Sequence, residues 1–486
     1  MPMEANIWPQ HPFMLEINTW TWLHSHSSDR KKPYTLRTLP LSVLDDDIEP
    51  FDVIWLMGVW RRSSLARDTA RQRTDLQDAC RQSLPDFTPD DVVGSPYAVY
   101  DYTVAPELGG LKGLKRIRQA LRKRGKLLLL DFVPNHVALD HPWIHTNPDF
   151  FLQGSPYDLS TNPHDFVRKG ERIFAHGKDP SFPAWPDTLQ LNSFSEGYRQ
   201  QAIEILKEIA ALCDGVRCDM AMLMMNHIFR KTWDERGGHP LHHEFWVDII
   251  SAVKQTYPDF KFLAEVYWDM GWQLQQQGFD YCYDKRLYER LLYDNVGSIK
   301  SHLHAEWDYQ SKLVRFVENH DEVRAAAAFG EQRSLAAAAI ALTLPGARLF
   351  HNGQQYGNRI KFPVELCRAP IEPVNTDIQN FYQQFLRYVS AEMRGHGDWR
   401  LFHIDGMDYW HSPFIGYVWD YGHTMLLIVV NYSDHPQTGC IALQQFGRQP
   451  TSMTELLESH TFALATPCVE IHARPWDVKL YHIDTA

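Results

Sequence analysis

Four apolar runs in this 486-residue chain each end in charged or hydrogen-bonding side chains. They are LLLLDFVPNH from Leu127 to His136, DGVRCDM from Asp214 to Met220, FLAEVYW from Phe262 to Trp268, and VRFVENHDE from Val314 to Glu322. Arg217 and Asp219 are two positions apart, so on a strand their side chains leave the same face. A guanidinium beside a carboxylate keeps it ionised and fixes its direction, which suits Asp219 to nucleophilic attack. Glu265 stands between Ala264 and Val266 and is followed by Tyr267 and Trp268. Apolar, aromatic surroundings raise a carboxyl pKa and keep a proton available for a leaving oxygen, so Glu265 is the candidate general acid/base. Asp321 follows Glu318, Asn319 and His320 in a segment too polar for a core. A second fixed negative charge near Glu265 favours the protonated acid and binds hydroxyls most strongly as a ring flattens toward an oxocarbenium ion. His136 and His320 add donors for hydroxyl groups. Taken alone, the Arg–Asp pair reads as a structural salt bridge and either histidine as a satisfied core residue. Four such segments in one chain read as a site.

These residues need elements that bring distant segments together. A continuous apolar run flanked by helical pattern is what a parallel strand buried on both faces looks like. Polar groups at the carboxyl ends of such strands mark the mouth of a (β/α)8 barrel. Eight strands are expected, at 14–20, 51–60, 127–133, 214–219, 260–266, 279–283, 313–317 and 347–351, alternating with helical stretches. The predicted fold class is therefore α/β, a TIM barrel with a small inserted subdomain after the third strand and a C-terminal antiparallel β-sandwich. The expected limits are 1–396 for the barrel, 134–192 for the insert, which is rich in Pro, Asp, His and aromatic residues, and 397–486 for the sandwich. The aromatic residues of the last segment read as a structural sheet packed on the barrel in preference to a carbohydrate-binding module.

A formal net charge of −12 argues against a phosphate-binding surface. The basic stretch from Lys112 to Lys126 carries Leu111, Leu114, Ile117 and Leu121 on one helical face, so its cations read as a solvated side and not as a nucleic-acid patch. The start, MPMEANIWPQHPF, has neither the charged nor the apolar region of a secretion signal. The most apolar stretch, Leu335 to Leu344, is too short for a membrane span of about 20 residues. Seven cysteines lack the spacing of a disulfide framework or a zinc ribbon, and a reducing cytoplasm is the expected location.

The motif residues resemble those of the α-amylase superfamily of glycoside hydrolases. DFVPNH is similar to its first conserved region, GVRCDM to the second, AEVYW to the third and VENHD to the fourth. SPYAVYDY from Ser95 resembles the segment that supplies a stacking tyrosine, here Tyr97, and PDTLQLN from Pro186 the region closing the small subdomain. The resemblance implies a retaining α-glycosidase acting on α-glucans or maltooligosaccharides through a covalent intermediate on Asp219. Glu265 is then acid/base and Asp321 the transition-state aspartate, with Tyr97, His136, Arg217 and His320 on the substrate. The implied partner is a carbohydrate, with no cofactor, no nucleic acid and no membrane. Many relatives carry Lys and His three and four positions after the nucleophile, where this chain has Met222 and Leu223. This departure removes polar contacts from the expected acceptor side and weakens the case for calcium at Asn135.

Transglycosylation uses the same three carboxyl groups and stays open as an alternative. A non-catalytic sugar-binding relative would not need all three. A metallohydrolase using His136, His141 and His145, or His239, His242 and His243, lacks helical metal-ligand spacing.

Overall fold

The computed structural model describes residues 8–27, 32–393, 397–464 and 466–486. Residues 1–7, which open the segment read for a secretion signal, and 394–396, at the expected domain limit, lie outside the described residues. All eight expected strands form: β1 Phe13–Asn18, β2 Val53–Met57, β3 Leu127–Phe132, β4 Gly215–Cys218, β5 Lys261–Ala264, β6 Tyr281–Tyr283, β7 Leu313–Arg315 and β8 Ala347–His351. They make a closed barrel in which each strand neighbours the next in sequence, β8 returning to β1. Every residue of β3 and of β4 is buried, as a strand with one face in the barrel and the other under helices must be.

The chain divides into two compact units. In the first, parallel pairing sets the level of the motif residues: Arg217 pairs with Asp131 of β3 and with Leu263 of β5, and Cys218 pairs with Ala264. Asp219 and Glu265 are the next residues along their two strands, so both leave the sheet at the same height. The helix Gly110–Lys123 buries Leu114, Ile117, Ala120 and Leu121. Leu111 departs from the expected face and is exposed, because it lies in the first turn beyond the packed stripe. Between 134 and 192, His136–Ala138 pairs with Thr188–Gln190, and the hairpin of Phe166–Lys169 and Arg172–Ala175 packs Phe166 and Ile173 against Phe194, Phe229 and Trp233.

The second unit carries β7, β8, the alanine-rich helix Glu331–Ala341 and the C-terminal strands. Strands β9 Asp398–Leu401, β10 Phe414–Asp420, β11 Thr424–Asn431, β12 Gln437–Ala442, β13 Pro450–Glu455, β14 His460–Thr461, β15 Cys468–Ala473 and β16 Val478–Thr485 follow. They form a six-stranded sheet, β9-β10-β11-β16-β13-β14, and a two-stranded one, β12-β15. One core joins the sheets, with Val418, Leu427 and Tyr481 from the first meeting Ile441, Val469 and Ile471 from the second. Tyr417 and Trp419 are buried and reach Thr343, through a 2.6 Å contact between hydroxyls and a 2.8 Å indole bond to its carbonyl. These aromatics serve packing.

The cysteine expectation needs one correction. Cys440 and Cys468 are joined as a disulfide, with 5.7 Å between Cα atoms. Spacing did not show the pair because antiparallel pairing of β12 with β15 brings together residues 28 apart in sequence. Cys80, Cys213, Cys218, Cys282 and Cys367 stand outside this disulfide as thiols. Among the described residues no helix is long and apolar enough to cross a membrane.

Candidate active site

Arg217 is the centre of the first unit's polar cluster and is fully buried. Its Nη1 donates to Asp219 Oδ1 at 2.8 Å. Its Nη2 lies 2.7 Å from Glu265 Oε2, an ion pair whose angle is not that of a straight hydrogen bond. The rings of Tyr97, Trp55 and Tyr283 surround the guanidinium, with centroids at 5.2, 5.4 and 5.9 Å. Burial by itself would lower the Arg217 pKa. The negative charge of Glu265 and Asp219 outweighs it and holds the group well above the usual arginine range. The cation is permanent, and it fixes two carboxyl groups at once.

Backbone geometry completes the placement. Asp219 N donates to Phe132 O at 2.8 Å and Glu265 N to Cys218 O at 3.1 Å, extending the ladders by one residue at the strand ends. Met220 adopts a left-handed conformation, φ 42°, and its N–H donates to Glu265 Oε2 at 2.7 Å. Tyr267 donates its hydroxyl to Glu265 Oε1 at 2.8 Å. Sequence reading expects apolar surroundings for Glu265. The structure corrects this, since Oε2 meets Arg217 Nη2 and the Met220 N–H, and Oε1 meets the Tyr267 hydroxyl. The barrel brings in Arg217 and Met220 from β4 and its end, which adjacency in sequence cannot show. Tyr267 was within reach of sequence reasoning, because residues two apart on an extended segment share a face.

Asp131 supports the site from below. It accepts from Trp55 Nε1 at 3.1 Å and from Gly58 N at 3.0 Å. Gly58 has φ +75°, and a Cβ there would meet Arg62 Nη2 at 2.8 Å, so the turn after β2 requires glycine. His136 is buried and bonded to the backbone of Tyr97, and burial pushes its imidazole down to about 4. It is a neutral ring at pH 7. The oxygens of Asn135, O and Oδ1, accept from Gln190 Nε2 at 2.9 and 2.8 Å. These bonds compete with a hard cation for the two oxygens of Asn135. Among the described residues no three or more His, Cys, Asp or Glu side chains gather as metal ligands.

Met222 and Leu223 are 0% and 2% exposed in the turn Ala221–Met224, so neither offers a surface to a sugar. The expected acceptor-side role at these positions is thereby corrected.

In the second unit, His320 Nε2 lies 3.0 Å from Asp321 Oδ2, and Asp321 keeps 43% of its side chain exposed. Glu318, which sequence reading left without a role, is fully buried. It accepts from Ala325 N at 2.6 Å and pairs with Arg324 at 3.1 Å and His351 at 3.3 Å. Asn319 Oδ1 accepts from the N–H groups of Asp321 and Glu322 at 2.9 and 3.0 Å. The loop after β7 is thus tied down on both sides of His320.

A closed parallel barrel with a carboxylate pair at adjoining strand ends defines the class of (β/α)8-barrel proteins with a strand-end site. The sequence model described as Alpha amylase, catalytic domain, matches residues 51–363, and the chain belongs to that family. It is 22% identical over 370 residues to Alpha-amylase MalA of Haloarcula japonica, covering 74% of this chain and 46% of that protein. It is 24% identical over 246 residues to a cyclomaltodextrin glucanotransferase of Paenibacillus macerans, covering 47% of this chain and 33% of that protein. The chain thus spans less than half the length of either relative. Its fold matches the crystal structure of a maltogenic α-amylase from Thermotoga neapolitana with TM-score 0.68 and 17% identity, over 98% of this chain and 99% of that one.

Proposed function

We propose that this chain is a retaining α-glycosidase that cleaves α-glucosidic bonds of glucans or maltooligosaccharides. The observation that carries the reading is the sharing of Arg217 by Asp219 and Glu265. Two carboxyl groups on one guanidinium are close together, which favours the spacing of about 5–5.5 Å used by retaining enzymes over the wider gap that admits a water. Asp219 attacks the anomeric carbon, forming a C–O bond as the glycosidic C–O bond breaks. Glu265 gives its proton to the departing oxygen. Water then attacks the same carbon, its proton passes to Glu265, and the bond to Asp219 breaks. Asp321 is the third carboxylate, favouring the oxocarbenium-like state, while Tyr97 stacks on the sugar and His136, Arg217 and His320 hold its hydroxyls or the nucleophile.

The domain limits that accompany this reading are 1–396 for the barrel, 134–192 for the insert and 397–486 for the sandwich. No metal or cofactor takes part, and the partner is a carbohydrate, neither nucleic acid nor membrane. Five cysteines that remain thiols support a cytoplasmic location, and the Cys440–Cys468 pair weighs against it.

A second reading, α-glucan transglycosylation, differs only in that a sugar hydroxyl replaces water in the second step. It is favoured by the likeness to a glucanotransferase. Incubation with a maltooligosaccharide series separates the two, since transfer yields products longer than the substrate. NMR of the first-formed product should show the α-anomer, and a β-anomer would overturn the retaining mechanism.

A further inference from the structure

The two oxygens of Glu265 face partners of different kinds. Oε2 lies 2.7 Å from Arg217 Nη2 and accepts from Met220 N at 2.7 Å. Oε1 accepts from the Tyr267 hydroxyl at 2.8 Å. A guanidinium and a backbone N–H donate and cannot accept, so a proton placed on Oε2 would point at other protons. A phenolic hydroxyl both donates and accepts, so its hydrogen bond to Oε1 can persist in either protonation state of the carboxyl. The proton of Glu265 therefore belongs on Oε1.

The backbone holds this arrangement in place. Glu265 N donates to Cys218 O at 3.1 Å and Glu265 O accepts from Ala221 N at 3.0 Å, which clamps the residue to the β4 segment on both sides. Met270 N donates to Tyr267 O at 3.2 Å, closing a turn through the left-handed residues Trp268 and Asp269 directly behind the tyrosine. The charged and titratable groups around the carboxyl are Arg217 and Asp219 from the end of β4, Tyr97 against the guanidinium, Tyr283 from β6 and, facing Tyr283, Glu16 from β1. Arg217 stays charged, and burial holds Tyr283 well above the usual tyrosine range, so neither changes its charge near neutral pH. Ionisation of Asp219 then sets the acid limb of the rate profile, and loss of the Glu265 proton sets the alkaline limb.

We propose that Glu265 holds and delivers its proton at Oε1, and that Tyr267 is the positioning residue that aims this oxygen and sets the pH at which the proton is lost. The inference rests on the glycosidase reading given above. In the first step the Oε1–H bond breaks as the departing glycosidic oxygen takes the proton, which leaves Glu265 ionised with Tyr267 donating to it. In the second step a proton from the attacking water returns to Oε1. A donor to the ionised form favours that form, so the Tyr267 hydroxyl keeps the alkaline limb lower than it would be without it.

The test compares the full chain with Tyr267→Phe, which keeps the ring and removes the hydroxyl. The pH profile of kcat/KM on maltotriose should keep its acid limb and move its alkaline limb up by about one pH unit, the effect of losing one hydrogen bond to a charged group. At the parent's optimum, kcat/KM on maltotriose divided by kcat/KM on α-glucosyl fluoride, whose leaving fluoride needs no proton, should fall by about three- to tenfold. A tyrosine that merely packs would lower both rates alike and leave the limb in place. Should the phenylalanine variant fail to fold, Tyr267→Met, whose flexible side chain fills irregular space without a hydroxyl, takes its place with the same expected shift. An alkaline limb that stays or moves down, or an unchanged ratio, in a folded variant overturns the role of Tyr267 alone. A parent chain that turns over neither substrate overturns the glycosidase reading and this inference with it.

Discussion

Arg217 Nη2 lies 2.7 Å from Glu265 Oε2, although the two residues belong to different strands. Strand periodicity in the sequence assigns the guanidinium to Asp219, and the barrel adds Glu265 to it. The two carboxyl groups are positioned relative to each other through one buried cation, so a displacement of the cation disturbs both.

Asp219→Asn and Glu265→Gln should each lose turnover while keeping the fold, since each keeps its shape and loses its charge or proton. Loss of acid/base work alone costs roughly 10²–10⁴-fold. Steady-state rates on a maltooligosaccharide check this. A folded variant with more than about a tenth of the parent rate would remove that residue from the mechanism.

Arg217→Lys should lower kcat/KM by about 10²–10³-fold, because an ammonium is a point charge and cannot bridge two carboxylates as the planar fork does. Arg217→Met should in addition destabilise the chain by roughly 3–5 kcal/mol, since it leaves two buried carboxyl groups uncompensated. Kinetics and urea unfolding measure the two effects. Parent-like kinetics in the lysine variant would show that the bridge is dispensable.

His141 is buried and its imidazole is pushed down to about 4 by burial, with Asp101 and Asp140 pulling weakly upward. The unfolded chain takes up a proton near the ordinary value of 6.5, which the folded chain refuses until about 4. Stability is therefore fully present above 6.5 and is lost as the pH falls toward 4. His141→Asn keeps an acceptor for the Trp143 N–H, which the ring now receives at 3.2 Å. The variant should lose stability less steeply in that window, by on the order of 1.4 kcal/mol per pH unit. Parallel urea-unfolding curves at pH 6.5 and 4.5 would refute the assignment.

Met222→Lys should destabilise by more than about 3 kcal/mol, because it places an ammonium where the native side chain is wholly buried. Improved use of longer substrates is not expected, since the position does not face a sugar. A folded variant with a parent-like melting temperature would show that the turn opens.

The sequence by itself determined the barrel and the identity of the motif residues. Apolar runs of strand length ending in Asp131, Asp219 and Glu265 are local patterns, and locality is what a linear reading resolves. It also determined that Arg217 and Asp219 share a face, because that follows from a period of two. Only the tertiary structure decided what surrounds each group. Glu265 meets Arg217, Met220 N and Tyr267, so its environment is polar where its sequence neighbours are apolar. Asn135 is engaged by Gln190, Met222 is buried, and Cys440 meets Cys468. Apart from Tyr267, which is two residues from Glu265, the contacts join segments distant in the chain and are set by strand register and by the left-handed turn at Met220. Composition and spacing do not encode such register, because it is fixed only when the sheets close and the cores pack.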